Sequence, residues 1–271
     1  MRAFLLGLFL IFCFNGNGQI QHIESRRIYN DTVGWAGNTD FNFSALQNRD
    51  LLINLGVKPF VQFKDSSNYV LALVEYNYSV GKERVFANAF SAHFRYNRYF
   101  RKDIRWIMWE FYTQGQLNPL LSQRVRALAG TGPRFRLFGN KDYKLYSGTS
   151  YMYEYEEIIV DNTIQRNHRV SAYIAWYFDP LPHFSFGGST YYQPLLTDFK
   201  DYRVSGMYTL RFMMFKRASF KFDVMFLYDS KPPTDVRNFV FNVSAGAGID
   251  LNRPGIKRKK KSEISGMIFP R

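Results

Sequence analysis

RVRALAGTGPRFRLF, residues 124–138, places arginine at 124, 126, 134 and 136 and nowhere between. The odd positions read Val125, Ala127, Ala129, Thr131, Pro133, Phe135 and Leu137, without a charge among them. Successive side chains of a β-strand point to opposite faces, so this pattern predicts a strand with one charged face and one apolar face. The fold turns on what each face meets.

Working outward from there, the same alternation recurs eleven more times. On the N-terminal side the apolar sets are Trp35/Phe41/Phe43, Leu55/Val57/Val61/Phe63, Val70/Ala72/Val74/Tyr76, Phe90/Ala92/Phe94/Tyr96 and Ile107/Trp109/Phe111/Leu117. On the C-terminal side they are Leu145/Tyr151/Tyr153/Tyr155, Val170/Ala172/Ile174/Trp176, Phe184/Phe186/Tyr192, Val204/Tyr208/Leu210/Phe212, Phe220/Phe222/Val224/Phe226 and Phe239/Phe241/Val243/Ile249. Each run spans roughly 12 to 16 residues, beyond the usual five or six of a soluble strand and enough to cross a bilayer. Polar breaks such as KDSSN, GNKD and DSKPPTDVR separate the runs and read as hairpin turns and loops. Pro59 and Pro133 fall inside strands, where a proline loses a ladder bond, so bulges are expected at both.

Composition agrees. Aromatic residues make up 18% of the 271-residue chain, yet mean hydropathy is only −0.29. Apolar side chains spread over one long face produce that pairing. The start, MRAFLLGLFLIFCFNGNGQ, has one arginine, an apolar run from Ala3 to Phe14 and small residues after it. It reads as a secretory signal peptide over residues 1–18, cleaved before Gln19 and followed by a periplasmic N-terminal segment over 19–31. Removing it would take away Cys13, the one cysteine. No later stretch is apolar for long enough to span as a helix. Of the formal net charge of +14, much sits in a basic, flexible tail over 253–271, where Lys257, Arg258, Lys259, Lys260 and Lys261 cluster.

Hydrocarbon offers no hydrogen-bond partners, so strands span it only as a closed sheet. The outward face must then be apolar, and Arg or Lys there would cost about 2–4 kcal/mol near the midplane. The expected fold is all-β, a transmembrane antiparallel up-and-down β-barrel of about twelve strands over residues 32–252. Arg124, Arg126, Arg134 and Arg136 point into its lumen. A soluble two-sheet sandwich also alternates, but has no use for such long strands.

The segments NAFSAHFRYNRYF and WEFYTQGQLNPLLSQRVRALAGTGPRFRLF carry a resemblance to a known family. The features are Arg95-Tyr96-Asn97, Glu110 with Gln114 and Asn118, and Arg124-x-Arg126-Ala127-x-x-Gly130-x-Gly132-x-Arg134. Over about residues 30–250 the chain resembles the YdiY-like outer-membrane proteins, a domain of unknown function numbered DUF 481. The resemblance implies a β-barrel of the Gram-negative outer membrane and no activity. Many such barrels end on an aromatic residue. Here Ser244-x-Gly246-x-x-Ile249-x-Leu251 has similar spacing without the terminal aromatic, and reads as the signal for barrel assembly machinery.

The expected lumen-lining set is Arg95, Glu110, Gln114, Arg124, Arg126, Arg134 and Arg136, with Glu110 paired to Arg124 or Arg126. Two functional readings follow. Rings of Arg and Lys attract anions, which gives a narrow channel favouring small anions. Alternatively arginines and glutamates crosslink a filled interior, with inward Tyr146, Met152, Tyr173, Tyr177 and Tyr191, in a structural or stress-related envelope barrel without transport. The glycine pairs in AGTG (129–132) and AGAG (245–248) lack a third glycine and a following helix for a nucleotide loop. They make room for large inward neighbours. His22, His93, His168 and His183 stand at no metal-ligand spacing, and neither G-x-S-x-G nor H-E-x-x-H occurs. No enzyme activity, cofactor or nucleic-acid partner is expected, and the partners are outer-membrane lipid and the assembly machinery.

Overall fold

A computed structural model describes residues 33–250, apart from 48–50, 82–83, 102–103, 105, 141, 182, 216 and 235, and apart from the side chains of 44–47, 51–52 and 84–87. The expected signal peptide, the segment over 19–31 and the tail over 253–271 lie outside the described residues.

Twelve strands follow one another: β1 (Gly34–Gln47), β2 (Leu51–Lys64), β3 (Asn68–Gly81), β4 (Arg84–Arg98), β5 (Ile107–Asn118), β6 (Gln123–Gly139), β7 (Tyr143–Ile158), β8 (Ile164–Leu181), β9 (Phe184–Pro194), β10 (Tyr202–Met213), β11 (Ala218–Asp229) and β12 (Phe239–Asp250). Each pairs antiparallel with the next, and β1 pairs with β12 to close the barrel. Lengths run from 11 residues in β9 to 18 in β8, as a membrane-height wall requires.

Tight turns use the residues the sequence offers. Asp65 Oδ1 accepts the backbone N–H groups of Ser67 and Asn68, both at 2.7 Å, between β2 and β3. Asn140 Oδ1 does the same for Asp142 and Tyr143 between β6 and β7. Such Asx turns reverse the chain without help from elsewhere. Both turns lie at the end of the barrel where β1 begins and β12 finishes, called here the near end. The connections over 159–163, 195–201 and 230–238 lie at the far end.

Parity holds over most of the wall. Phe90, Phe94, Phe111, Tyr151, Ile174 and Phe241 are exposed on the outside. Aromatic rings meet along that face, Tyr143 with Phe178 and Trp176 with Phe186 at 4.6 Å between centroids. Inside, most of the lumen is packed. Phe60, Tyr69, Leu71 and Leu73 form one buried cluster with Ala36, and Tyr146, Tyr173, Tyr177 and Tyr191 form a second with Ala175. Inward glycines admit this bulk: a Cβ on Gly130 would sit 2.3 Å from the Tyr112 ring.

Two expectations about irregularity are corrected. Neither proline makes a bulge. Pro59 faces Thr39, and the ladder to β3 runs from Val57↔Tyr76 to Phe60↔Leu73 in one register. Pro133 faces Trp109, and Thr131↔Tyr151 and Arg134↔Gly148 share a register. A missing N–H removes one bond and does not demand an extra residue. The bulge falls at Arg124 instead. Gln123 faces Ile158 and Val125 faces Glu157, so Arg124 is the surplus residue of β6. The inward parity therefore changes across it, and Gln123 and Arg126 are both buried.

Candidate functional site

The interior is built from two charged layers. The one nearer the far end centres on Glu154. In β7 the run Tyr153-Glu154-Tyr155-Glu156 sends both tyrosines outward and both carboxylates inward. Arg126 of β6 faces Glu156, which places it diagonal to Glu154, within reach of a long side chain. Arg169 of β8 faces Met152 and is diagonal to Glu154 from the other side.

Glu154, wholly buried, accepts from three guanidinium groups. Arg126 Nε donates to Oε1 at 2.6 Å, Arg203 Nη1 to Oε1 at 2.7 Å and Arg169 Nε to Oε2 at 3.0 Å. Arg203 stands on β10 and so reaches across the lumen past β8 and β9. Its remaining donors hold Glu156 at 3.0 Å and Asp229 at 2.7 Å. Arg169 also binds Asp201 at 2.9 Å, and Gln123 donates to Glu156 at 2.6 Å. Because charged hydrogen bonds are roughly twice as strong as neutral ones, this is a rigid cross-brace.

The second layer centres on Glu110. Arg95 lies 3.3 Å and Arg134 3.7 Å from its carboxylate, Asn97 donates to it, and Tyr173 donates from β8 at 2.7 Å. Arg134 also donates to the Tyr173 hydroxyl at 3.0 Å, and its guanidinium stacks 4.1 Å over the Tyr146 ring. Gln114 Oε1 accepts from His93 Nδ1 at 3.0 Å. On the opposite wall Lys221 binds Asp40 at 2.6 Å and Arg211 binds Asp250 at 2.5 Å.

Of the expected lumen residues, Arg95, Glu110, Gln114, Arg126 and Arg134 are buried inside. Arg124 and Arg136 are not. Arg124 is exposed in its bulge at the far rim and donates to Asn162 at 3.2 Å. Arg136, beside a second irregularity at Leu137, donates to the carbonyl of Gly139 at 3.1 Å near the other rim. Glu110 does not pair with Arg124 or Arg126. Register explains it: Glu110 faces Gly132, while Arg126 faces Gln116 six residues along. Asp229 and Asp201 were not anticipated as members. Asp229 shares the inward parity of Lys221 and was findable; Asp201 sits in a loop and carries no such signal.

Charges nearly balance. Lys58, Arg95, Arg126, Arg134, Lys144, Arg169, Arg203, Arg211 and Lys221 stand against Asp40, Glu75, Glu110, Glu154, Glu156, Asp223, Asp229 and Asp250 among the described inward residues. Two small cavities flank the Glu154 layer. One, of about 30 Å³, lies beneath Pro232, Pro233 and Val236 of the far-end loop. The other, of about 40 Å³, lies between the layers, lined by His93, Tyr112, Met152 and Tyr191. Each suits a few water molecules and no larger solute. Among the described residues no group of three His, Cys, Asp or Glu side chains is placed to hold a metal ion.

A family profile described as "Protein of unknown function, DUF481" matches residues 54–249. No curated protein matches the chain. Among solved structures the chain is similar to the NanC porin, at 10% identity over 79% of this chain and 98% of that one, with a TM-score of 0.47. It is similar to the KdgM porin at 9% identity over 79% and 98%, TM-score 0.42. A COG4313 outer membrane channel from Pseudomonas putida F1 is matched at 7% identity over 81% and 96%, TM-score 0.46.

Proposed function

The chain belongs to the DUF481 family of proteins of unknown function, and from that premise we propose that it is a non-enzymatic barrel of the Gram-negative outer membrane whose axial lumen is closed. It serves the envelope as a wall component and does not conduct along its axis. The observation that carries this reading is the Arg203 cross-brace. A side chain on β10 that binds Glu154 and Glu156 on β7 leaves no bore between those walls.

An anion-favouring pore needs cationic side chains facing water. Here the inward guanidiniums are spent on carboxylates, and the two cavities beside them have room for no more than a few water molecules. Membrane placement is supported by the wall itself: long strands with exposed Phe, Tyr and Ile outside and ion pairs inside are the arrangement a lipid solvent selects. The near end, with its Asx turns, faces the periplasm, and the Ser244–Leu251 spacing of the last strand is what assembly machinery reads.

Planar-bilayer recording of the refolded protein tests this. The expected trace shows no steady current at low voltage. A steady current of either ion preference would overturn the closed-lumen reading.

A further inference from the structure

β1 pairs with β2 along its whole length, from Gly34↔Lys64 to Gln47↔Leu51. β12 pairs with β11 along its whole length too. Yet β1 and β12 meet each other only from Asn38↔Asp250 to Phe41↔Ala247. At the foot of this seam the backbones approach closely, for a Cβ on Gly246 would lie 2.8 Å from the Phe41 carbonyl oxygen. Beyond it, toward the far end, residues 42–47 and 239–246 form no ladder pair with each other. At strand rise this unpaired edge is about 20 Å long. In hydrocarbon an unanswered backbone group costs several kcal/mol, so something that hydrogen-bonds must occupy such a seam.

The interior behind the seam is also the part that is not filled. Inward residues of β12 from Val240 to Gly246 are only half-buried, as is Asn42 of β1, whereas the inward side chains of β5 to β8 are almost all buried. Its lining is amides and hydroxyls with one carboxylate, Asp223, which faces Ser244 and accepts from the Thr209 hydroxyl at 2.6 Å. The amides of Asn42 and Asn77 converge over Gly56, where a Cβ would meet both oxygens. Asn54 accepts from Ser79 at 2.5 Å. Asn42 Oδ1 is buried and has no hydrogen-bond partner. Below, the Lys221–Asp40 pair is neutralised. The outer lips are greasy, with Phe41, Phe43, Phe239 and Phe241 all exposed.

We propose that the far half of the β1–β12 seam is a lateral notch that takes the uncharged, hydroxyl-rich headgroup of an amphipathic lipid, leaving its acyl chains in the bilayer. Amides that both donate and accept suit sugar hydroxyls, and the two facing edges, 42–47 and 239–246, carry no lysine or arginine to hold a phosphate. Aromatic lips suit acyl chains. The proposal rests on the reading of a membrane-embedded, axially closed barrel, and moves the molecule's exchange with its surroundings from the axis to the wall.

The test uses Ala45→Cys with Val243→Cys, positions that would face each other if the ladder continued, in the full chain. Protein refolded in micelles is offered an equimolar mixture of monoglucosyl diacylglycerol and phosphatidylglycerol, and native mass spectrometry reads what it keeps. Reduced protein is expected to retain one glucolipid with about tenfold preference, the worth of one net hydrogen bond. The oxidised, tethered protein is expected to lose it. Equal retention of the two lipids, no retention, or retention indifferent to the disulfide overturns the notch. Hydrogen exchange adds a second readout. Lipid-free protein in which seam amides exchange as slowly as those of β6 and β7 would mean a zipped seam, and would also overturn it. Either failure with a silent planar bilayer leaves the closed lumen standing; a steady current would count against the lumen alone.

Discussion

Replacing Glu154 with glutamine removes the charge that three arginines share and keeps the shape. The cost follows from what each arginine has left. Arg203 retains Glu156 at 3.0 Å and Asp229 at 2.7 Å, and Arg169 retains Asp201 at 2.9 Å. Arg126 retains only the neutral Gln116 Oε1 at 3.0 Å. One buried cation is thus orphaned, not three. Breaking a buried pair by removing one partner costs about 3–5 kcal/mol. A unit-charge contact near 4 Å at an effective dielectric of 20 gives about 4 kcal/mol, in agreement. Urea unfolding of the protein folded into vesicles, followed by tryptophan fluorescence, reads the loss. Adding Arg126→Gln to Glu154→Gln removes the orphan, so the double variant should be more stable than the single. A loss under about 1 kcal/mol for Glu154→Gln, the scale of a surface pair, would refute the brace. So would a double variant that loses the full sum.

Other outcomes follow from the same geometry. Arg124→Ala, exposed in its bulge, should change stability by no more than about 0.5 kcal/mol, whereas Arg126→Ala should cost about 3 kcal/mol; equal effects in the same titration would place Arg124 inside. Gly132→Ala should prevent refolding, since its Cβ would lie 2.0 Å from the Thr149 carbonyl oxygen, while Gly115→Ala meets open space and should fold; heat-modifiable gel mobility separates the two cases. At the far end the Lys231 ammonium, hydrogen-bonded at 2.7 Å, holds the Asp198 carboxyl below the usual carboxylate range, and Asp198 in turn raises Lys231. Asp198's contribution is therefore present above its unfolded pKa and lost as pH falls through the lowered folded value; that of Lys231 is lost only as pH rises through its raised value. The distance between spin labels at Thr197 and Thr234 should stay constant around neutrality and widen only in acid. Widening while carboxylates are still ionised would contradict the role given to the Lys231–Asp198 pair.

Strand number, order and facing were legible because two solvents enforce them. Lipid outside and ion pairs inside punish any lapse of period two, so Phe90, Phe94 and Arg95 announce their faces individually. What was not legible depends on single residues or on distant partners. The surplus residue at Arg124 leaves every neighbour's type unchanged, and only pairing with β7 shows the shift. Pro59 and Pro133 looked disruptive, yet each removes one donor and no register. Glu110 found Arg95 and Arg134 because of how β5 slides against its neighbours, a quantity alternation does not encode. The short β1–β12 seam joins segments some two hundred residues apart, and no local pattern marks where such a ladder stops.

The account stands on a wall that faces lipid on one side and a packed interior on the other. Nitroxides at Ala127, Leu128 and Ala129 of the vesicle-embedded protein measure that directly. Ala127 and Ala129 should collide freely with oxygen dissolved in the bilayer, and Leu128, buried beside the inner cavity, should meet neither oxygen nor a water-soluble nickel chelate. Nickel access at Leu128, or oxygen access there in place of its two neighbours, would contradict it.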